Sequence, residues 1–396
     1  MGNLLANAYN IEDVRRLARA KLPKGIYESI ERGTEDEAAL ANNLAGFQRL
    51  CLNPRVFVDV SDISLATELF GQRISMPLAI APTGSAGLVW FRGEVELAKA
   101  AAAFNVPFTL ATRSLSSIET IADEAGGNLW LQLYVWRDRS LSYQLIDRAN
   151  AAGFKALLVT ADTPVPPNRE YNLRNGYGLP FKASRAAYTD ICLHPLWLAR
   201  VMGRYMLNGG MPRFETLPGR PKITEATDAS MATSASVNWD DIRELRRRWP
   251  GVLMVKGILR ADDARKAAAC GVDAVVVSNH GGRNLDSSRA PIDVLPEILD
   301  AVGARVKVLV DSGVRRGSDV VKAVALGASA VLSGRPTLYG TAVAGRAGAL
   351  HVLNILQREM TNTMGMIGCP AIRDLDRDLL HGLKGGTVLE SASFLA

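Results

Sequence analysis

Eight short, continuously apolar runs separated by helical stretches predict an α/β protein, a (β/α)8 TIM barrel, across most of this 396-residue chain. Two further observations agree. The unusual polar residues cluster just where those runs end, which is the rim on which such a barrel builds its chemistry. Neither a GxxxxGK[ST] loop nor a GxGxxG strand–helix turn is present, so ATP-type and Rossmann-type nucleotide binding have no support.

The eight runs cover residues 76–82, 107–112, 129–135, 156–162, 253–258, 274–279, 307–313 and 330–336. They do not alternate apolar with polar, as expected of parallel strands buried on both faces. Between them, stretches such as 93–104, 140–152, 260–270 and 317–326 space their apolar residues three and four apart, the period of a half-buried helix. A doubly wound open sheet is the rival, but it does not need eight nearly regular units. The chain reads as one domain. Residues 1–70 are mostly helical (11–22, 23–32 and 35–47) and cap one end; 71–182 and 238–396 form the barrel. Residues 183–237 are an insertion after the fourth strand, too long for a βα loop. Within it, 195–207 reads as an apolar helix with Arg200 and Arg204 four apart on one side. Two readings of that helix stay open. It is a lid on the rim or a segment buried between subunits, or it lies in a bilayer surface, drawn to anionic lipids by its arginines.

Composition narrows the function. At 48% hydrophobic and 22% charged the chain has enough apolar residues for one large core. The formal charge of +6 suits solubility, anionic small molecules or a membrane surface. Its densest basic run, Arg246, Arg247 and Arg248, falls in a helix, so no nucleic-acid partner is expected. Cys51, Cys192, Cys270 and Cys369 are scattered without zinc or redox spacing, and His194, His280, His351 and His381 make no ligand pair; no metal site is expected. With no secretory leader and no apolar run near the roughly 20 residues that span a bilayer, the expected location is cytoplasmic, with peripheral membrane contact open.

The rim residues carry the chemistry. The third strand bears Gln132 and Tyr134; the fourth ends in Thr160 and Asp162, with Arg169 soon after; the fifth carries Lys256. The sixth ends in Ser278, Asn279, His280, Gly281, Gly282 and Arg283, the seventh in Asp311, Ser312, Gly313, Val314 and Arg315, the eighth in Ser333, Gly334 and Arg335. One such residue alone is ordinarily a member of a satisfied polar layer. Convergence at one rim implies a ligand or a tight ion-pair network, because buried charge is costly without a partner. Gly313 and Gly334 permit close backbone approach and Arg315 and Arg335 supply cations, which marks a phosphate cradle after strands seven and eight. His280, followed by two glycines and an arginine, suits a base beside a carboxylate clamp, with Asp286 or Asp311 as the group that orients the imidazole.

The motifs SNHGGRNLD (278–286), DSGVRRGSDVVK (311–322) and GRP (334–336) resemble those of the FMN-dependent 2-hydroxy-acid dehydrogenases and oxidases. The likeness runs from Leu22, Pro23 and Lys24 to Gly368, Cys369 and Pro370, and is nearest the mandelate and lactate dehydrogenase members. It implies FMN, oxidation of an (S)-2-hydroxy acid to the 2-oxo acid, an acceptor that is oxygen, a quinone or a carrier protein, and a homo-oligomer. By the resemblance His280 is the base, Asp162 its ion-pair partner, Tyr134 the hydrogen-bond partner of the reacting hydroxyl, and Arg283 and Arg169 the carboxylate ligands. Lys256 sits near flavin N1 and C2=O. Thr83, Gln132, Thr160 and Ser278 contact the isoalloxazine or ribityl, and Asp311, Gly313, Arg315, Gly334 and Arg335 hold the ribityl and phosphate. Three positions depart from the pattern. Ser29 stands where many relatives have a carboxylate-binding Tyr, Ala111 where several have Ser, and Arg113 where glycolate oxidase has a bulky aromatic. Ser29 keeps open a bulkier or non-carboxylate alcohol as substrate, and a flavin-free, phosphate-binding isomerase or lyase is the reading from another class.

Overall fold

The computed structural model describes residues 5–176, 180–181 and 184–381, with the backbone of 383–384 and 387–388. Eight parallel strands close into a barrel in sequence order: β1 (Leu78–Ile80), β2 (Phe108–Leu110), β3 (Leu129–Leu133), β4 (Ala156–Thr160), β5 (Val252–Ile258), β6 (Ala274–Val277), β7 (Lys307–Val310) and β8 (Ala330–Ser333). Val331 of β8 pairs with Leu78 of β1 and seals the ring. Seven of the eight sequence runs overshoot their strands at the C-terminal end by two or three residues. Those extra residues are rim residues, and two of them, Ser312 and Gly313, have a positive φ that no ladder accepts.

Along each strand alternate residues point inward. Small Ala79, Ala156 and Ala274 share the barrel interior with large Trp130, Met254 and Leu309, filling it as a packed core. The other set faces the surrounding helices. Sequence alone reads 1–70 as mostly helical, but helix ends at Arg49. Beyond it lies extended chain and a hairpin, Thr67–Leu69 against Gln72–Ile74. Leu69 and Ile74 plug the interior, and Phe70 meets Trp130 edge-on at 6.0 Å.

Ahead of the hairpin lie α1 (Ile11–Lys21), α2 (Lys24–Glu31) and α3 (Ala38–Arg49). Asn10 caps α1 by accepting the Asp13 N–H, and acids in its first turn and bases in its last suit the helix dipole. Its buried stripe is Ile11, Val14 and Ala18. These helices reach the catalytic rim: Thr34 N–H donates to Gly282 O at 3.0 Å, and the buried amides of Asn43 and Asn279 exchange hydrogen bonds at 2.9 and 2.7 Å.

The insertion is helical at 195–207, as its apolar spacing predicts, though wound as a π-helix over Leu198–Gly203. Trp197 and Val201 are buried, and the Trp197 indole donates to Leu88 O at 2.8 Å. Tyr205 packs edge-on to Phe91 at 4.8 Å, and Arg204 stacks on the same ring at 4.2 Å. Residue 183, where the insertion was expected to begin, lies outside the described residues.

Candidate active site

A cavity of about 1600 Å³ opens over the C-terminal ends of the strands, walled by α2 and the insertion. Thirteen of the fifteen sequence-derived site residues line it: Thr83, Gln132, Tyr134, Thr160, Arg169, Lys256, His280, Arg283, Asp311, Gly313, Arg315, Gly334 and Arg335. Asp162 and Ser278 stand directly behind that wall. Ser278 accepts from Lys256 Nζ at 2.7 Å and from the His280 N–H at 3.0 Å.

His280 owes its position to a sharp turn. After β6 the chain passes through three successive left-handed residues, His280 (φ 58°), Gly281 (φ 70°) and Gly282 (φ 71°). For histidine this costs on the order of 1 kcal/mol or more. At Gly282 a side chain is excluded, since a Cβ would lie 2.6 Å from Leu40 N on α3. Turned this way, His280 Nδ1 donates to Asp162 Oδ1 at 2.8 Å, leaving Nε2 as the free base 3.4 Å from the Tyr134 hydroxyl. Burial opposes ionisation of Asp162, but His280 and Lys256 outweigh it and hold its pKa at about 2. Burial also moves His280 below its ordinary value, although Asp162 pulls the other way. The result is an ionised aspartate behind a neutral imidazole near pH 7. Burial raises the Tyr134 phenol, so it remains a donor. Neither aspartate proposed as orienter from sequence does that work. Asp286 accepts the Ala39 N–H at 3.0 Å, and Asp311 faces Lys256.

Lys256 is aimed by a bulge. The β5–β6 register shifts between Lys256 and Ile258, and Gly257 has φ 103°. A Cβ there would sit 2.6 Å from the Asp162 Cβ, so only glycine lets the two strand ends meet. Lys256 Nζ lies 3.1 Å from Asp311 and 3.9 Å from Asp162. Burial disfavours its charge, but these two carboxylates outweigh that and raise its pKa.

The arginines are differently placed. Arg169 donates to Arg283 O at 3.0 Å and Asn284 Oδ1 at 3.1 Å. Arg283 donates to Ile30 O and Arg32 O at 3.3 and 3.1 Å, and Arg335 to Ile30 O and Gly281 O at 3.0 and 2.9 Å. Arg315 donates to Val314 O at 2.9 Å. Carbonyls orient these guanidiniums without neutralising them. Burial and the neighbouring Arg283 pull Arg169 down to about 10, and burial with Arg283 and Arg315 does the same to Arg335. Such a cavity is built for anions.

Sequence reasoning passed over several residues that shape the site. Asn284, inside the His280 motif, donates to Asp162 O at 2.8 Å while accepting from Arg169, so it ties the Asp162 turn to Arg169. Gly257, the Asn43–Asn279 pair and Ser312, which accepts the Gly281 N–H at 2.9 Å, carry no separate signal in one sequence.

Against known proteins, the model of the FMN-dependent dehydrogenase family matches residues 18–382. The chain belongs to this family. It is 41% identical to the (S)-mandelate dehydrogenase of Pseudomonas putida, over 95% of this chain and 94% of that protein. It is 40% identical to an L-lactate oxidase of a Nostoc species, over 95% and 99%. A crystal structure described as the monotopic membrane protein (S)-mandelate dehydrogenase superposes with a TM-score of 0.88, at 41% identity over 95% of this chain and 99% of that one.

As an FMN-dependent oxidoreductase the chain needs a place for a long, terminally anionic cofactor, and the cavity fits one. At one end, among the described residues, Arg315 and Arg335 form no ion pair with a carboxylate, which leaves them available to a phosphate. Gly334 exposes its backbone there, with no atom nearer than Ala81 Cβ at 3.6 Å to where a side chain would start. Toward the other end the Gln132 amide is fixed, accepting the Thr112 N–H and donating to Thr160, both at 3.0 Å, beside the small Ala111.

Proposed function

We propose that this flavoenzyme oxidises an (S)-2-hydroxy acid to the 2-oxo acid, with His280 as the base. The observation that carries this reading is the free Nε2 of His280, held by ionised Asp162 beside the Tyr134 hydroxyl and next to the Arg169–Arg283 pair. In the reaction Arg283 and Arg169 bind the substrate carboxylate and Tyr134 hydrogen-bonds the hydroxyl. His280 Nε2 takes a proton from the substrate, and Asp162 stabilises the imidazolium that results. FMN, when bound, supplies the two-electron acceptor. Arg315 and Arg335, with Asp311, Gly313 and Gly334, would hold its phosphate and ribityl, and Thr83, Gln132 and Thr160 its ring. Lys256 would lie where negative charge gathers on reduction. Ser29 lines the cavity, but its hydroxyl donates to Ile26 O at 2.7 Å within its own helix. It therefore adds room rather than a carboxylate ligand, which favours substrates larger than lactate. Anaerobic bleaching of the flavin by a panel of 2-hydroxy acids tests the reading, and reoxidation with oxygen or a quinone identifies the acceptor. No bleaching by any of them would overturn it.

A second proposal concerns where the enzyme works. The insertion turns Trp197 and Val201 inward but leaves Leu193, Leu196, Met206 and Leu207 between 58% and 87% exposed. Trp197, Leu198, Met202 and Met206 also line the cavity, so one segment is at once lid and apolar outer face. No helix among the described residues is long and apolar enough to cross a membrane. The outer face suits peripheral insertion into the cytoplasmic surface of a bilayer. Co-sedimentation with anionic vesicles should be lost when the exposed Leu193, Leu196 and Leu207, none of which lines the cavity, are replaced by serine, with flavin reduction retained. A wild type that stays in solution at low salt would refute it.

A further inference from the structure

Beyond β2 the loop of Ala111, Thr112 and Arg113 is rigidly held. Thr112 N–H donates to Gln132 Oε1 at 3.0 Å, its hydroxyl to Gln132 O at 2.7 Å, and Arg113 O accepts the Ser85 N–H at 2.9 Å. From this fixed base Arg113 reaches into the wall of the cavity. Among the described residues its guanidinium has neither a hydrogen-bond acceptor nor a carboxylate. Thr112 Oγ1 accepts the Tyr134 N–H at 3.0 Å, which places the adjacent Arg113 at the reacting end of the cavity; burial depresses the Arg113 pKa.

Charge balance at that end is then unequal. Lys256 is matched by Asp311 and Asp162, whereas Arg113, Arg169 and Arg283 have no carboxylate among the described residues. The single carboxylate of a simple hydroxy acid serves Arg169 and Arg283, Arg169 being held beside the second by its hydrogen bond to the Arg283 backbone carbonyl at 3.0 Å. Arg113, half-buried in the cavity wall, would be covered by the bound substrate with no counter-charge, an expensive arrangement. Short Ala111 and Ser29 leave space for a longer substrate in the same wall.

We propose that the substrate is a 2-hydroxy acid with a second anionic group, a 2-hydroxydicarboxylate, whose distal carboxylate is bound by Arg113. This rests on the 2-hydroxy-acid reading above. The test compares 2-hydroxyglutarate with 2-hydroxypentanoate, two acids of the same chain length, on the FMN-loaded enzyme. The ratio of their flavin-reduction efficiencies is measured for wild type, Arg113→Gln and Arg113→Lys. Wild type should favour the dianion, and Arg113→Gln should lower that ratio about ten- to a hundredfold, as loss of one charge-assisted contact does. Arg113→Lys should recover part of it. Binding of redox-inert glutarate over pentanoate, read from the flavin spectrum, should follow the same order. A wild type that prefers the monoanion, or an Arg113→Gln effect equal for both acids, would overturn the proposal. If neither hydroxy acid reduces the flavin while glutarate still binds through Arg113, the second-anion site stands and the hydroxy-acid reading fails.

Discussion

Asp162→Asn isolates what the ion pair behind the base contributes. Asp162 accepts from His280 Nδ1 at 2.8 Å and is ionised above a pKa of about 2, so at working pH it is an anion against a neutral ring. When Nε2 takes the substrate proton the ring becomes a cation beside that anion. Opposite charges about 4 Å apart at an effective dielectric of about 20 attract by about 4 kcal/mol. The amide keeps the shape but not the charge, and its NH2 can turn toward Nδ1, which forces the proton onto Nε2 and blocks the base. Loss of about 3–4 kcal/mol corresponds to about 10²- to 10³-fold in rate. Anaerobic stopped-flow of flavin reduction measures it directly. The limiting reduction rate should fall by that factor while the substrate dissociation constant changes little, because the carboxylate clamp is untouched. A variant with FMN bound that reduces within threefold of wild type would show that Asp162 does not stabilise the imidazolium.

His280→Ala should retain FMN and lose at least about 10²- to 10⁴-fold in flavin reduction, the span for a positioned base; reduction within tenfold of wild type removes His280 from that role. Burial lowers the His280 pKa, so the free-base form persists down to pH 6.5 and is lost only as pH falls through the depressed value. The acid limb of the reduction rate should therefore lie below pH 6.5, and a limb centred above it contradicts the burial argument. Arg283→Lys loses the planar guanidinium that Ile30 O and Arg32 O orient through Nη1, so the substrate dissociation constant should rise about tenfold or more; an unchanged constant would argue for a substrate without a carboxylate. Gly257→Ala forces a positive φ on a side chain that meets Asp162, and should cost at least about 1–3 kcal/mol in denaturant unfolding; wild-type stability would mean that the bulge is not needed.

By itself the sequence determined the barrel, because eight runs of apolar residues with helices between them can be buried on both faces in few other ways. It also placed the chemistry on the rim, since polar residues at strand ends have only one end of a barrel to share. What it could not decide was pairing across the rim. Position in the chain offered Asp286 or Asp311 as the orienting acid, and Asp162 entered only through the family resemblance; Asp286 is drawn off to the Ala39 N–H of α3. Gly257 on β5, having no side chain, instead lets Asp162 at the end of β4 reach the imidazole that follows β6. The same holds for Arg113, whose sequence neighbours do not say whether it points to solvent or into the cavity. Strand pattern is local and repeats every two residues, so one chain displays it openly. Which acid meets which base depends on bulges, left-handed turns and helices packed from distant parts of the chain, and only the folded structure brings those together.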